Sequence, residues 1–458
     1  MARPGLRCLL TAVNPVTSPY PVYPLGLASV AGALVEGGHQ VEQLDFLAAG
    51  EDYFRQLEET MTRFQPELIG ISIRNLDLED SGAPAGFMGE VQETVARIRA
   101  GSRAPLVLGG PAFSLAPEPI MRLLGAEYGV VGEGERAVVQ LADALRDDRP
   151  PQPGIIRRDP EKNPWHHVEY SRAICPYYLR WGGTMNLQTK RGCPHRCSYC
   201  SYPLLEGTRI RRRDPDEVAE EAIRLQQLFD ARYLFFTDSV FNDPGEHYLE
   251  VCEALVKRNN QVPWSGYFRP ATLPRTAMAL MKRAGLDTME IGTDSGCDRT
   301  LAALNKGFSF DRAVAMNELA AEFEIPCAHF FIFGGPAEDE HTLKTSLANI
   351  EKLRPAVVFA FNGIRILPRT AIQRLAVAEG IIHGDDELLE PKFYHSSKIS
   401  PKKIDMMVKK AWQGRSDRIY PVRDELARIR RFHAKGYSGP IWDKIIRMEL
   451  ARRRATRP

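Results

Sequence analysis

Twice along this chain, short apolar runs of strand character alternate with amphipathic runs of helical period. This double alternation restricts the fold more than any other feature of the sequence. In the first stretch, residues 7–14, 40–44, 68–73, 105–108 and 128–131 read as strands, and residues 25–36, 53–64, 88–99 and 137–145 as helices. Strands so short and so continuously apolar are buried on both faces. They predict an α/β domain over residues 1–150, built on a doubly wound parallel sheet. Ligands of such sheets bind beyond the carboxyl ends of the strands, where the turns Gly109-Gly110-Pro111 and Gly132-Glu133-Gly134-Glu135 fall.

A polar, Pro-rich stretch at 147–154 interrupts the pattern. Residues 151–184 have weak periodicity and carry Trp165, Tyr170, Tyr177, Tyr178 and Trp181, as expected of an ordered linker lying across two domains. The second alternation places strands at 185–190, 233–237, 265–268, 288–292, 328–333 and 357–364. Helices fall at 215–229, 245–257, 274–284, 309–323 and 338–353. Six βα units of this length predict a full or partial βα barrel over 185–380, with its chemistry at the carboxyl ends of the strands. Residues 381–458 read as a helical, basic C-terminal region.

Of 458 residues, 44% are hydrophobic and 26% charged, which excludes a disordered, collagen-like or coiled-coil chain. Apolar runs such as 357–361 are too short to span a bilayer. The opening Met1-Ala2-Arg3-Pro4-Gly5 lacks the apolar core of a signal peptide, so a cytoplasmic location is expected. Positions 401–458 hold 17 Lys and Arg against 6 Asp and Glu. So basic a run can meet nucleic acid, anionic lipid or an acidic partner, or be a solvated helical face. Its apolar positions Ile404, Met407, Val408, Ala411 and Trp412, then Val422, Leu426, Ile429 and Phe432, recur at helical spacing and need a surface to bury against. The expectation is a segment that closes over or beside the barrel mouth, not a nucleic-acid module. Peripheral membrane contact through Arg452-Arg453-Arg454 stays open.

Of eight cysteines, Cys8, Cys175, Cys252, Cys297 and Cys327 stand singly and read as core thiols. The other three form a C-x3-C-x2-C loop, Arg191-Gly192-Cys193-Pro194-His195-Arg196-Cys197-Ser198-Tyr199-Cys200. Three thiolates on one loop can hold three irons of a [4Fe–4S] cubane and leave the fourth open to a substrate or cofactor. Zinc is the other metal reading; it would want four ligands, and His195 lies too close in the loop to complete them well.

This loop directly follows the first barrel strand, and there the chain resembles the radical S-adenosylmethionine (SAM) superfamily. Tyr199 stands where the family has an aromatic residue before the last cysteine. Phe235-Phe236-Thr237-Asp238-Ser239-Val240-Phe241-Asn242 resembles the motif of the second strand. Asp238 is placed there to meet the methionyl ammonium, or else to cap the following helix. Arg269, after the third strand, is placed to meet the carboxylate through its bidentate fork, or to form a rim ion pair. Gly292-Thr293-Asp294-Ser295-Gly296 resembles the G-x-E-S-G signature with Asp294 in place of the usual Glu, and Asn305-Lys306-Gly307 follows as it commonly does. Phe333-Gly334-Gly335-Pro336-Ala337-Glu338 resembles the G-x-P-x-E turn, whose Gly334 would let backbone approach the adenosine. The resemblance implies a partial (βα)6 barrel and a [4Fe–4S] cluster on Cys193, Cys197 and Cys200. SAM would be held near Tyr199, Asp238, Arg269, Asp294, Ser295 and Gly334. It further implies reductive cleavage of SAM to a 5′-deoxyadenosyl radical, fed by a flavodoxin- or ferredoxin-type electron donor.

In the first stretch, Pro24-Leu25-Gly26-Leu27, Gly38-His39-Gln40-Val41 and the two Gly-rich turns resemble a flavodoxin-like cobalamin-binding domain. The implied corrin contacts are Arg74, Asn75, Gly109, Gly110 and Ser114, with Gly132 and Glu133 near its tail. The D-x-H-x-x-G cobalt-ligand motif is absent. Asp45-Phe46-Leu47-Ala48-Ala49-Gly50 mimics its spacing after the second strand, but Leu47 cannot ligate cobalt. Corrin bound without a histidine on cobalt is expected; an empty, vestigial domain is the alternative. The combination implies a radical SAM enzyme, most often one that C-methylates an unactivated carbon of a small-molecule or lipid substrate. Non-methylating chemistry (dehydration, cyclisation or rearrangement of a sugar or secondary metabolite) is the other enzymatic reading.

Overall fold

The structure, a computed structural model, describes residues 4–17, 20–157 and 165–447, with the side chains of 424–427 excepted. The Arg452-Arg453-Arg454 end and the Leu426 side chain lie outside the described residues.

The first half is a six-stranded, all-parallel sheet. Its strands are Arg7–Val13, Gln40–Asp45, Leu68–Ile73, Leu106–Gly109, Tyr128–Val131 and Gly154–Arg157. They lie side by side in the order second, first, third, fourth, fifth, sixth. That is the flavodoxin-like, doubly wound arrangement, with apolar layers on both faces. The sixth strand falls within the stretch read as linker. Its four residues are too few to show a period, and pairing with Tyr128–Val131 is what makes it a strand.

The second half is a seven-stranded parallel sheet. Met185–Leu187, Leu234–Phe236, Trp264–Phe268, Met289–Asp294, Cys327–Phe333 and Val357–Asn362 follow one another in chain order, and Arg418–Ile419 adds to the last. Met289, Ile291 and Phe268 face the surrounding helices in the main apolar cluster. Local chemistry starts those helices: Asp214 accepts the Asp216 amide at 2.8 Å ahead of Pro215–Phe229, and Asp339 with Thr342 forms a capping box for Glu340–Ile350. Two strands stop sooner than read. Lys190–Arg191 leaves the first barrel strand to pair antiparallel with Arg211–Arg212, and Gly363, at φ +88, turns Ile364–Arg365 onto Phe393–Tyr394.

The aromatic stretch between the halves touches both. Tyr170 donates to Glu221 at 2.6 Å, and Tyr178 donates to Asp45 at 3.1 Å. Tyr23 of the first half donates its amide to Asn186 of the first barrel strand at 3.0 Å.

The C-terminal region differs from expectation. Its apolar residues Ile404, Val408 and Trp412 are buried as read, but its last part, around Trp442 and Ile446, packs away from the mouth. Trp442 and Ile446 pack on Ala328, Val357, Phe359 and Ile419, and Arg447 meets Asp287 at 2.6 Å, ahead of the fourth barrel strand. The Gly439 amide donates to Gly183, just before the first strand. A six-stranded barrel is open at one side, and this segment covers that edge and the strand-start floor. Other parts of the region reach the strand ends: the His395 ring and Ile404 lie against Gly334, Asn362 donates to the Pro401 carbonyl at 3.0 Å, and Arg423 meets Asp80, in the loop after the third strand of the first sheet, at 3.5 Å. No helix of the described residues is long and apolar enough to cross a membrane.

Candidate active site

The carboxyl ends of both sheets meet. A Cβ on Gly132, in the turn after the fifth strand of the first sheet, would stand 3.5 Å from the Leu205 carbonyl behind the cysteine loop. On the other side, Asp77 of the loop after the third strand meets Arg365 at 2.6 Å, both buried. Between these contacts Tyr267 of the third barrel strand keeps 40% of its surface exposed, although its strand is central and its register partner Glu290 is buried. The exposed face of Tyr267 therefore opens on a chamber inside the barrel.

The cysteine loop is anchored at several points. Gly192 has φ +95, and a Cβ there would lie 1.9 Å from the Arg209 carbonyl, so only glycine fits. The Gly192 amide donates to Glu206 at 3.1 Å, the Ser198 amide to the Leu304 carbonyl at 3.0 Å, and the Asn305 side chain to the Arg196 carbonyl at 2.7 Å. Cys193, Cys197 and Cys200 are free thiols. Burial pushes Cys200 up to about 12 and Cys193 upward, so both sulfurs stay neutral until a metal supplies positive charge. No three His, Cys, Asp or Glu side chains among the described residues converge as a single-ion site would need. Three thiols on a glycine-fixed loop suit a multi-iron cluster. Cys8, Cys175, Cys252, Cys297 and Cys327 are buried elsewhere, as read.

Beside the loop, Tyr199 donates to Asp294 at 2.5 Å and Lys306 meets the same carboxylate at 2.7 Å. Asp294 sits at φ +66, a left-handed conformation that non-glycine residues seldom take. Burial draws the Lys306 ammonium down, but Asp294 and then the Cys197 thiol more than offset it, leaving it above its ordinary value. His195 is held neutral, at about 4, by burial and by the neighbouring Arg269 and Lys306, and its Nε2 has no hydrogen-bond partner. Arg269 stacks on Phe308 at 4.9 Å and has no carboxylate partner among the described residues; Asn242 fixes its backbone through two 2.9 Å hydrogen bonds. Gly334, at φ +86, donates its amide to the buried Glu338, which burial lifts to about 7.

Several expected contacts are engaged otherwise. Asp238 accepts from the Thr189 amide at 2.8 Å, the Thr189 hydroxyl at 2.5 Å, the Lys190 amide at 3.3 Å and the Lys190 ammonium at 3.2 Å. Those four donors fill the lone-pair positions of a carboxylate. Asp238 therefore anchors the base of the cysteine loop and leaves no position for an ammonium. Ser295 accepts the Cys297 amide at 3.1 Å within its own turn. Ser114 donates to the Gly110 carbonyl and accepts the Gly132 amide, both at 2.9 Å, tying two turns of the first sheet together. Glu133 points at Arg191 and Arg211 of the barrel half.

What faces the chamber from the first sheet is mostly backbone. Gly110 has φ +94 and touches Ile73, while a Cβ on Gly109 would meet nothing closer than 4.0 Å. Arg74, half-buried, donates to the Val22 carbonyl at 3.3 Å, with Asn75 beside it. This open glycine surface with a polar rim fits a large planar group. Asp45, in the spurious cobalt motif, caps Phe46–Ala49 and binds Tyr178 instead. Lys306, Asn242, Glu206 and Arg191 were not singled out from sequence. Lys306 had a signal in Asn305-Lys306-Gly307; the others take their roles from tertiary contacts.

The family model of the Radical SAM superfamily matches residues 187–350, the strands and loops just described. Those residues form a radical SAM domain. A B12-binding domain model matches residues 12–142, so the radical SAM half is joined to a cobalamin-binding half. An uncharacterised methyltransferase of Pyrococcus horikoshii is 26% identical over 348 residues, 72% of this chain and 73% of that protein. Tryptophan 2-C-methyltransferase of Streptomyces laurentii is 25% identical over 447 residues, covering 80% and 74%. Among solved structures, the radical SAM methyltransferase TsrM of Kitasatospora setae, with cobalamin and a [4Fe–4S] cluster bound, superposes with a TM-score of 0.85 at 24% identity over 98% of this chain and 99% of that one. That likeness shows the shared fold.

Proposed function

We propose that this radical SAM enzyme is a cobalamin-dependent C-methyltransferase acting on an unactivated carbon of a small-molecule or lipid substrate. The observation that carries the reading is the meeting of the two strand-end edges: three free, glycine-anchored thiols on one side of a chamber and an open glycine surface without a histidine on the other. The relatives described above are all methyltransferases, which supports methyl transfer. In this reading residues 1–150 hold the corrin, 185–380 carry the radical chemistry, 151–184 link them and 381–458 shield them.

Cys193, Cys197 and Cys200 would hold three irons of a [4Fe–4S] cluster. Arg74, Asn75, Gly109 and Gly110 would hold the corrin, and Arg269, Gly334 and the Tyr199–Asp294–Lys306 group would hold SAM. The cluster supplies one electron to break a carbon–sulfur bond of SAM, and the corrin carries a methyl group. The chain's own residues bind and orient. Arg269, a half-buried cation with no acidic partner among the described residues, receives a carboxylate. Lys306 keeps Asp294 and Tyr199 in place beside the loop. The C-terminal segment excludes water from the open barrel edge, as a radical requires. An electron donor of flavodoxin or ferredoxin type completes the scheme.

Anaerobic purification with iron analysis and an optical spectrum tests it. The expected result is about four irons per chain, a corrin spectrum and release of 5′-deoxyadenosine from SAM under reduction. Cob(II)alamin should show no strong axial nitrogen splitting in electron paramagnetic resonance. A protein that takes up no corrin, or that shows histidine coordination, overturns the corrin assignment.

A further inference from the structure

The turn Gly132-Glu133-Gly134-Glu135 carries two acids at the corrin-facing edge of the first sheet, yet both carboxylates reach into the other half. Arg191 meets Glu133 at 3.0 Å and Glu135 at 2.6 Å, and all three side chains are at most 10% exposed. Arg211 adds a 2.9 Å hydrogen bond to Glu133. The Trp165 ring lies 4.5 Å from the Arg191 guanidinium, and Gln188 accepts from its Nε at 3.0 Å. Gln188 donates in turn to Glu206 at 3.1 Å, and Glu206 accepts the Gly192 amide at 3.1 Å. Arg191 is therefore two residues from Cys193, joined to it through a glycine that has no freedom to relax.

We infer that Glu133 and Glu135 are positioning residues: they clamp the corrin-binding half onto the root of the cysteine loop and so set the spacing between corrin and cluster. This rests on the two-cofactor reading above. Three arguments support it. Arg191 binds both acids and Arg211 binds Glu133 as well, so the planar forks fix orientation as well as distance. A buried ion pair adds little stability over an apolar contact of the same volume, so its value here is geometric. A second buried bridge, Asp77 to Arg365, and the more exposed pairs Arg122–Glu387 and Arg423–Asp80 join the halves at other points, so the Glu133 and Glu135 clamp is the buried contact that acts at the cysteine loop itself. The reactive distance is sensitive to such control, since a misplacement of about 1 Å can cost roughly 100-fold in rate.

The test uses the full chain carrying both cofactors, in the Glu133→Gln/Glu135→Gln double variant. The dipolar interaction between the reduced cluster and cob(II)alamin is read by pulsed electron paramagnetic resonance, and amide hydrogen exchange is read on the cofactor-free protein. The clamp predicts wild-type iron and corrin content, a broadened cluster–cobalt distance distribution and faster exchange across 192–200. Both cofactors present with an unchanged distance distribution overturns it, even if the melting temperature falls. Should the double variant fail to fold, the exchanged pair Glu133→Arg/Arg211→Glu decides. The clamp requires it to restore a narrow distance distribution that the single Arg211→Glu change broadens; equal distributions in the two refute it. Loss of iron or corrin from the wild-type protein would instead count against the two-cofactor reading.

Discussion

The two halves offer the same edge to the chamber, the carboxyl ends of parallel strands, but equip it differently. The first sheet contributes glycine backbone, Gly109 and Gly110, together with Arg74 and Asn75, while its acids and hydroxyls are turned to structural work. The barrel contributes thiols, the free guanidinium of Arg269 and the Tyr199–Asp294–Lys306 group. A surface made of backbone can cradle a preformed cofactor but cannot alter its charge. A surface made of ionisable side chains can hold metal and anions. The contrast separates a holding half from a reacting half, and substitutions in each should fail in different ways.

The largest effect should come from the reacting half. Changing Cys193, Cys197 or Cys200 to Ala should abolish the site-differentiated cluster and reductive SAM cleavage, while corrin uptake persists. Iron analysis and corrin absorbance on the same sample check both. A triple variant with normal iron and turnover would end the division of labour proposed here.

Next is Asp294→Ala, which strands the buried Lys306 ammonium. Breaking a buried pair of this kind costs about 3–5 kcal/mol, so a marked fall in melting temperature and in SAM affinity is expected. Asp294→Glu should keep both. Equal SAM affinity in all three proteins would show that the group only supports the fold.

The holding half is probed by two adjacent glycines. Gly110→Ala puts a Cβ 2.5 Å from the Ile73 carbonyl at a positive φ and should lose about 1–3 kcal/mol of stability. Gly109→Ala has room for its Cβ and should melt like the wild type, yet bind corrin roughly tenfold less tightly, a change of about 1.4 kcal/mol. Normal corrin titration of Gly109→Ala would remove that surface from the cradle.

The last prediction concerns pH. Burial raises Asp45 from 3.8 to about 6. Because the folded carboxyl holds its proton longer than the unfolded one, stability falls as pH climbs from about 4 to 6 and stays lower above that. Asp45→Asn should flatten this slope, a difference of about 2–3 kcal/mol, seen in melting temperatures at pH 4.5 and 7.5. A wild-type slope in the variant would assign the dependence elsewhere.

Much of this was legible before any coordinates. Strand and helix periods gave both sheets to within a few residues, because buried parallel strands have a composition of their own. C-x3-C-x2-C singled out the cysteine loop as the candidate cluster site, because thiols at that spacing on one loop can share a cluster. The sixth strand of the first sheet and Arg418–Ile419 of the second were not visible, since strands of four and two residues exist only through their partners. Asp238, Ser114 and Glu133 were assigned to cofactors because their types and turns allow it, and lone-pair occupancy is a property of the folded neighbourhood.

The sequence by itself determined which residues could do chemistry and which edge of each sheet they would occupy. Side-chain type and strand period are local properties, and topology then sends every βα turn to the same edge. Only the tertiary structure decided which polar groups remain available at that edge. Each carboxylate and guanidinium there has to satisfy its charge on burial, and its partner comes from a segment remote in the chain: Glu133 with Arg191, Asp77 with Arg365, Asp294 with Lys306 for structural pairing, and Arg269 left without an acid.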